Sequence, residues 1–314
     1  MRKLLIIAGP TAAGKTALSV ALAQKLNGEI ISADAMQIYA GMEIGTAAAT
    51  ERERQGIAHH LIGCIDPAEH FSAAQYQSLA ERIAQEIRMR GRIPIAVGGT
   101  GLYIDALCYD LSFMQAAEDK AFRAEMQDFA ERNGAEALYE RLMLIDPESA
   151  VKLHVNDRKR IIRALEIYHV SGIKKSEQER HWKEPKPGIQ VCMIVLGCEN
   201  RAYLYERINR RVDAMIAEGL EEEVRRLLAL GIPETAQSLQ AIGYKELISY
   251  FNGNCSRQEA IEAIKRESRR YAKRQLTWFK RQEKAHWIDI ENQTLQTLVE
   301  QAEKVIERDW RQSL

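Results

Sequence analysis

Short apolar runs, separated by segments with helical periodicity, mark both ends of the chain. Buried strands are predicted at residues 4–8, 29–34, 93–97 and 190–198, with a last short strand at 287–289. Apolar runs of this kind, without alternation, are typical of parallel strands covered on both faces. Helices are predicted after residue 16, at about 72–90, and over most of the chain beyond residue 200. The pattern therefore predicts an α/β fold with a parallel sheet.

The middle of the chain has a different pattern, helical and charged, with no convincing strand. Helices are predicted near 117–132, 134–144 and 157–171. We interpret 113–188 as an inserted all-helical subdomain. The core would then comprise 1–112 and 189–314. In that core, 50–70 is expected to be rich in loops, helices are expected at about 200–217, 219–230, 243–251 and 256–281, and the tail from residue 292 is expected to form a surface helix.

The first strand leads into a phosphate-binding loop. The sequence GPTAAGKT at 9–16 fits G-x-x-x-x-G-K-[ST] and is followed at once by a helix, as this motif requires. Its glycines allow backbone N–H groups to surround phosphate oxygens, and the helix N-terminus attracts anions. Lys15 would supply a positive charge, and the Thr16 hydroxyl would hold Mg²⁺ that also contacts the phosphates. The core is therefore expected to be P-loop NTPase-like.

Composition narrows the class of protein only slightly. The formal net charge is zero, from 44 basic and 44 acidic residues, so the placement of charge matters more than its sum. Five cysteines without a C-x-x-C pair argue against a disulfide framework or a zinc site. No apolar run is long enough for a membrane span, and the N-terminus enters a strand directly. We expect a cytoplasmic protein, monomeric, without a membrane partner.

A carboxylate follows the second predicted strand. Ligands of open α/β sheets bind at the carboxyl ends of the strands, so Asp34 is expected near the phosphate loop. P-loop hydrolases and phosphoryl-transfer enzymes usually place a second carboxylate at a strand end to hold Mg²⁺. Here the strand 93–97 ends in Gly98-Gly99-Thr100 instead. The hydrolase arrangement is incomplete, and Asp34 is free for another role.

Basic residues cluster in two segments. Residues 158–163 carry Arg158, Lys159, Arg160 and Arg163, and residues 257–284 carry ten basic and four acidic side chains. Arg266, Arg270 and Arg274 recur every fourth residue, a spacing that suits RNA phosphates. A solvated helix face would look the same. Acidic residues elsewhere, for example Glu218, Glu221, Glu222 and Glu223, would balance this charge.

The motifs together resemble those of the tRNA dimethylallyltransferase (tRNA isopentenyltransferase) family. The resemblance is carried by GPTAAGKT at 9–16, SADAMQIY at 32–39, GTA at 45–47, His60, Asp66-Pro67, VGGTGLY at 97–103, NDRKRIIRALE at 156–166, IGYKE at 242–246 and YAKRQLTWF at 271–279. These motifs span nearly the whole chain. One departure is Ala35, where the family usually has Ser, and a contact to RNA is thereby in doubt.

The resemblance implies transfer of a five-carbon group. Dimethylallyl diphosphate would donate it to N6 of adenosine 37, beside the anticodon of tRNA. The P-loop (Gly9, Pro10, Thr11, Ala12, Ala13, Gly14, Lys15, Thr16) would hold the diphosphate, with Mg²⁺ on Thr16. Asp34 would act as general base, and Thr11 would contact the reacting centre. A water-mediated Mg²⁺ ligand is the alternative role for Asp34.

The resemblance also implies further contacts. Arg207 and especially Arg211, four apart on one helix, would contact the diphosphate; a solvated face paired with Glu206 and Asp213 is the alternative. Contacts with the tRNA anticodon stem-loop would come from Asp34, Ala35, Met36, Gln37, Thr100, Arg123, Lys159, Arg160, Ile161, Ile162, Arg163, Gln240, Ala241, Ile242, Gly243, Tyr244 and Lys245. The insertion would grip the anticodon stem. Trp278 and Phe279 would stack on bases or, as we favour, pack in the core.

Three other functions stay open at this point. A transferase that prenylates free AMP would use the same chemistry, but the insertion and basic segments favour a large acceptor. A nucleotide or metabolite kinase would transfer the γ-phosphate of ATP, and the absent strand-end carboxylate argues against it. An RNA-binding NTPase switch would hydrolyse nucleotide slowly and leave RNA unmodified.

Overall fold

Six parallel strands form one sheet in the order β3-β2-β4-β1-β5-β6. The computed structural model describes residues 2–111, 119–181 and 184–311. The strands are β1 (Arg2–Ala8), β2 (Gly28–Ser32), β3 (His59–His60), β4 (Ile93–Gly98), β5 (Ile189–Gly197) and β6 (Ala285–Asp289). The predicted α/β class is confirmed. Because β1 lies at the centre, the loop that follows it opens at the middle of one sheet edge.

Helices connect and cover the strands. The described residues form α1 (Lys15–Leu26), α2 (Glu43–Thr46), α3 (Glu51–Arg54), α4 (Ala73–Met89), α5 (Gly101–Cys108), α6 (Lys120–Ile145), α7 (Pro147–Ala150), α8 (Arg158–Ser171), α9 (Lys175–His181), α10 (Arg201–Ala217), α11 (Leu220–Ala229), α12 (Tyr244–Phe251), α13 (Arg257–Phe279) and α14 (Leu295–Arg311). A short 3₁₀ helix, Ser238–Gln240, precedes α12. Within the described residues, no helix has the length and apolar content needed to cross a bilayer.

Burial of β1 on both faces explains its unbroken apolar sequence. Leu5 and Ile7 pack in a cluster with α1 and α14, while Leu4 and Ile6 are also fully buried. The tail forms the expected surface helix, and one of its faces packs on the core. Leu298, Val299, Ala302 and Ile306 enter the same core. Their spacing of one, three and four residues is that of a helix stripe.

The chain divides into two units. The first comprises Met1–Leu107 and Gly188–Leu314 and contains the sheet; the second is Cys108–Pro187. The second unit is helical where it is described, with its own apolar cluster from α6 and α8. The predicted break between two helices near residue 133 is present, because Gly134 has φ +88° inside α6. The predicted first residue of the insertion, 113, lies outside the described residues.

A missed strand lies in the segment that was expected to be loop-rich. β3 pairs with β2. Because it has only two residues, no hydrophobic periodicity indicates it in the sequence. His60 of β3 also bonds through Nε2 to the buried Glu29 carboxylate at 2.7 Å. Arg90 and Arg92 bond to the same carboxylate at 2.7 and 3.1 Å. Glu29 therefore ties the outer strand to the segment that enters β4.

The Glu29 contacts predict an acid-dependent contribution to stability. Hydrogen bonds from Arg90 are the main reason why the pKa of Glu29 lies at about 2, below its ordinary value of 4.5. Burial opposes this shift. A lowered folded-state pKa gives stability that is complete above pH 4.5 and is lost as the pH falls toward 2. We expect Glu29→Gln to lower the free energy of unfolding by about 3 kcal/mol at neutral pH, from the cost of breaking a buried pair.

Urea denaturation of both proteins, repeated at decreasing pH, measures this contribution. The difference between wild type and variant should shrink below pH 4.5. Glu86→Gln is the matched control, because Glu86 lies on the surface of α4 with a long contact to Arg82. If the two proteins differ in free energy of unfolding by the same amount at neutral and acidic pH, the contribution assigned to the Glu29 contacts is contradicted.

Candidate active site

Three loops meet at the carboxyl edge of the sheet and enclose a cavity of about 490 Å³. The P-loop follows β1, Asp34 follows β2, Gly98 ends β4, and Thr100 follows it. Helices α10 and α13 supply the facing walls. The remaining lining residues include Ala35, Met36, Gln37, Gly45, Thr46, Ala47, Ile208, Arg211, Val212, Met215, Ile264, Tyr271, Arg274 and Gln275. The volume lies in the range usual for small-molecule sites.

Two P-loop glycines are required by the backbone. Gly9 has φ +144°, and a Cβ there would lie 2.4 Å from the carbonyl oxygen of Leu196 on β5. Gly14 has φ +90° and immediately precedes α1, whose N-terminus carries no side-chain cap. The first N–H groups of α1 are thus left to the cavity, as an anion site requires.

Lys15 and Arg211 are two of the four cationic side chains that line this cavity, with Lys245 and Arg274. Lys15 Nζ donates to the carbonyls of Gly9 and Pro10 at 3.1 and 2.7 Å. Burial, with a further contribution from Arg211, lowers the pKa of Lys15 to about 7, while Asp34 opposes the shift. Burial also lowers the pKa of Arg211. Among the described residues no carboxylate lies within ion-pair distance of Arg211, so the cavity is electrostatically prepared for an anion.

Arg207 and Arg211 do different things. Arg207 Nε donates to the Ala12 carbonyl at 2.9 Å, so it braces the P-loop backbone, and its contact with a diphosphate stays a prediction. Arg211 lines the cavity. The alternative of a solvated face paired with Glu206 and Asp213 is wrong, because Glu206 pairs with Arg210 and Asp213 with Lys265.

Asp34 lines the same cavity as these cations. Its Oδ1 accepts a hydrogen bond from Met36 N at 2.9 Å, which fixes the carboxylate in a tight turn. The next residue, Ala35, donates its N–H to Thr100 Oγ1 at 3.0 Å. Two strand-end loops are therefore joined, and a carboxylate oxygen stays available toward the cavity. This arrangement can accept a proton from a group bound beside a phosphate.

Comparison with known families decides the membership of the chain. The family model described as IPP transferase matches residues 37–282. The chain belongs to the IPP transferase family. The resemblance drawn from its motifs is confirmed, and so is the prediction of an enzyme of that kind.

Curated relatives and solved structures agree with this membership. The chain is 51% identical to the tRNA dimethylallyltransferase of Geobacillus thermodenitrificans and 50% identical to that of Bacillus subtilis, over 92% and 91% of its length and 90% of each relative. The full-length tRNA isopentenylpyrophosphate transferase of Bacillus halodurans superposes with a TM-score of 0.74 at 43% identity, over 100% of this chain and 99% of that one. A eukaryotic dimethylallyltransferase acting on tRNA gives 0.79 at 31% identity, over 93% and 75%.

In this IPP transferase, a buried carboxylate supports a further wall of the cavity. Glu223, one of the acidic residues expected to balance the basic segments, is buried, with 1% of it exposed. It accepts hydrogen bonds from Ile44 N, Gly45 N and Tyr244 Oη at 2.8, 2.9 and 2.6 Å. The segments 44–47 and 240–245 are thereby held together. A Cβ on Gly45 would lie 2.5 Å from the Tyr244 ring, so only glycine allows this contact.

The residues predicted to contact tRNA fall into accessible and buried groups. Around the cavity, Gln240, Ala241, Ile242, Gly243 and Lys245 are among the lining residues, as are Asp34, Ala35, Met36, Gln37 and Thr100. Tyr244 is different, because its side chain is fully buried against Glu223. Any contact of Tyr244 with RNA would have to come from its backbone.

In the second unit, the predicted tRNA contacts also divide into accessible and buried residues. Lys159 and Arg160 are exposed near the N-terminus of α8, whereas Ile161 and Ile162 are buried in the apolar cluster of that unit. Arg123 and Arg163 both pair with Glu166, at 2.8 and 2.6 Å. Glu166 is fully buried, and its pKa is lowered because the hydrogen bonds of Arg163, Asp119 and Arg123 outweigh the effect of burial. The two arginines are thus held at fixed positions with about a third of each side chain exposed.

Helix α13 combines a cavity wall with a charged surface. Arg266 and Arg270 both pair with Glu267, while Arg274 lines the cavity with Tyr271 and Gln275. Phe279 is fully buried, which confirms the core role favoured for it, whereas Trp278 is half-buried and packs against Gly101. Sequence reasoning missed Tyr271 and Gln275 as cavity residues. Their i, i+4 spacing inside a motif, with Arg274 between them, was the available signal.

The lowered pKa of Lys15 predicts that the protein takes up a proton when an anion binds. With its pKa near 7 in the free protein, Lys15 is mostly neutral at higher pH. A bound diphosphate favours the charged form, so affinity should fall as the pH rises above 7. Calorimetry of inorganic diphosphate binding, in buffers with different ionisation enthalpies, should report uptake of about one proton near pH 8.5.

The substitution Lys15→Met should remove this uptake and weaken diphosphate binding by about 10- to 100-fold near pH 6.5, as expected for loss of a charge-assisted hydrogen bond. Lys25→Met is the matched control on the same helix, since Lys25 pairs with Glu303 at the surface. Equal proton uptake in wild type and the Lys15 variant would contradict the shifted pKa.

Proposed function

We propose that the chain transfers a dimethylallyl group from dimethylallyl diphosphate to N6 of adenosine 37 in tRNA and releases diphosphate. The observation that carries the proposal is the pairing of an anion cradle with a single carboxylate across one cavity. Lys15, Arg211 and Asp34 all line this cavity, and Asp34 interacts electrostatically with both cations. The names of the curated relatives support the activity, and the eukaryotic neighbour that acts on tRNA supports the acceptor.

The cradle serves the leaving group. When the allylic C–O bond breaks, its electron pair stays on the diphosphate, and the five-carbon group gains cationic character. The N–H groups at the start of α1, with Lys15 and Arg211, stabilise the growing negative charge. The loop holds the phosphates before reaction, so little reorganisation is required. Ile208, Val212 and Ile264 supply an apolar wall for the five-carbon group.

Asp34 serves the acceptor. The lone pair of N6 forms the new C–N bond, and the nitrogen then loses a proton to the Asp34 carboxylate. The adenine amine is a weak nucleophile, so orientation by a hydrogen-bonded carboxylate matters as much as proton removal. The adenine must leave its stack to enter the cavity, which costs least in a loop. Thr11, on the cavity wall beside the cradle, would contact the reacting centre.

The donor set of the cavity fits Mg²⁺. Mg²⁺ usually takes few protein ligands and completes its shell with phosphate oxygens and water. Thr16 lines the cavity directly after Lys15 and offers one hydroxyl oxygen. No group of three or more His, Cys, Asp or Glu side chains forms a metal site in the described part of the chain. A bound Mg²⁺ would neutralise charge on the departing diphosphate.

The remaining RNA contacts are proposed for the exposed basic residues. Lys159, Arg160, Arg163 and Arg123 would contact the anticodon stem through phosphates, and Lys245 and Arg274 would contact the loop at the cavity mouth. Glu166 would keep two of these arginines in place. The consequence of Ala35 is a lost hydroxyl at a position where only its N–H bonds to Thr100.

A direct assay distinguishes the proposed acceptor from its rival. The protein is mixed with labelled dimethylallyl diphosphate, Mg²⁺ and either unmodified tRNA or AMP. Label should enter tRNA and, after digestion, be found on the adenosine at position 37. Label in AMP alone would support the free-nucleotide transferase instead.

The base role of Asp34 predicts a separation of binding from chemistry. Asp34→Asn should keep tRNA affinity within about twofold while the single-turnover rate falls by about 10²- to 10⁴-fold, the usual contribution of a general base. Filter binding and rapid-quench measurements at saturating donor give the two quantities. Asp289→Asn is the matched control: Asp289 ends β6 and accepts a hydrogen bond from Glu291 N, two residues on, as Asp34 does from Met36 N. A single-turnover rate close to wild type would refute the assignment.

A further inference from the structure

Gln275 is a buried amide between the two halves of the cavity. It is 4% exposed and lies on α13. Its Oε1 accepts a hydrogen bond from Thr11 N at 3.0 Å, and its Nε2 donates to the Gly99 carbonyl, also at 3.0 Å. One side chain thus bonds to the loop after β1 and to the loop after β4. We propose that Gln275 is a positioning residue that sets the distance between the diphosphate cradle and Asp34, an inference that rests on the proposed function.

On the cradle side, the bond fixes the backbone at Thr11. This residue lies in the P-loop between Gly9, which packs on β5, and Ala12, whose carbonyl is held by Arg207. The P-loop is therefore bonded to α13 at Thr11 and to α10 at Ala12. The Thr11 side chain, predicted to face the reacting centre, inherits its position from this fixed backbone.

On the acceptor side, the connection runs through the loop that contains Gly99. Thr100 N donates to the Ala33 carbonyl at 3.1 Å, and Ala33 N donates to the Val97 carbonyl at 2.7 Å. Thr100 Oγ1 accepts from Ala35 N at 3.0 Å. Both neighbours of Asp34 are thus bonded to the β4 loop. Whatever holds that loop also holds Asp34.

The loop after β4 packs closely against Gln275 and against the loop after β2. A Cβ on Gly99 would lie 1.9 Å from Gln275 Nε2, and one on Gly98 would lie 2.1 Å from the Ala33 carbonyl oxygen. The Tyr271 hydroxyl interacts with Thr100 and Gln275 from one turn earlier on α13. Because a misplacement of about 1 Å at reacting atoms costs on the order of 10²-fold in rate, an amide that spaces the two loops matters for turnover.

Only an amide fits both partners. Gln275 must accept from an N–H and donate to a carbonyl, and neither Met nor an ionised carboxylate can do both. Gln275→Met keeps the volume and loses both bonds, so it leaves no cavity. Gln275→Glu keeps the acceptor and regains the donor only when the new carboxyl is protonated. Burial raises the pKa of such a carboxyl, so the carboxyl should begin to gain its proton within the pH range of a kinetic assay.

The kinetic test compares both variants with wild type at saturating donor and tRNA. We expect Gln275→Met to lower the rate per active site by about 10- to 100-fold, with the dissociation constants for tRNA and inorganic diphosphate unchanged within about threefold. The deficit of Gln275→Glu relative to wild type should narrow as the pH falls from about 8 to about 5.5. Thr277→Ala is the matched control, because Thr277 is exposed on the same helix and bonds only to the Lys273 carbonyl.

A second measurement needs no turnover. Hydrogen exchange at the Thr11 amide should be faster in Gln275→Met than in wild type and unchanged in Thr277→Ala. A deficit of Gln275→Glu that does not change with pH, a full rate per active site in Gln275→Met, or unchanged Thr11 exchange would each overturn the inference. Failure of the proposed function is recognised separately, since wild type would then transfer no label to tRNA while the exchange result stood.

Discussion

An uncompensated positive charge inside a cavity is the constraint on which this site depends. Lys15 and Arg211 are both withdrawn from water, and the pKa of each is lowered by burial. Asp34 is the only carboxylate among the described residues that line the same cavity. Such an arrangement is costly in the free protein and favourable once an anion is bound. Contacts of the P-loop backbone with β5, α10 and α13 keep the loop in this arrangement in spite of its energetic cost.

In this neutral chain the placement of the charged residues matters more than their sum. Many of its charges are used internally: Glu29, Glu166 and Glu223 are buried and hold basic or amide groups. On α13, Glu267 holds Arg266 and Arg270, while Arg274 extends to the cavity. Lys159 and Arg160 remain exposed on α8, at two of the predicted RNA contacts. A net charge of zero says little about such a distribution.

The sequence was sufficient for features that depend on short stretches of chain. The P-loop could be predicted because its glycines, lysine and threonine act within eight residues, and β1, β2 and β4 because their apolar runs are continuous. Asp34 could be placed near the loop by the topology of parallel strands alone. Once the motifs were combined, the family followed, because they are spread over nearly the whole chain.

Features that depend on distant contacts could not be predicted. β3 has two residues and exists only because β2 offers an edge. Glu223 sits in an acidic run that resembles a solvated helix, and its burial depends on Ile44, Gly45 and Tyr244, which are distant in sequence. Gln275 lies 264 residues from Thr11. Neither residue type nor periodicity indicates such partners, since a glutamate or glutamine on a helix is usually exposed.

Buried polar side chains fix the spacing of the loops at the edge of the cavity. An apolar residue at Glu223 or Gln275 would fill the same space at less desolvation cost, but it would let the loops adopt several spacings. Directional bonds at 2.6–3.0 Å select one spacing. The same logic applies in the second unit, where Glu166 fixes Arg123 and Arg163. In both units a costly buried group determines the geometry of the residues bonded to it, and this explains a hydrogen-bonded residue at a position where a leucine could also pack.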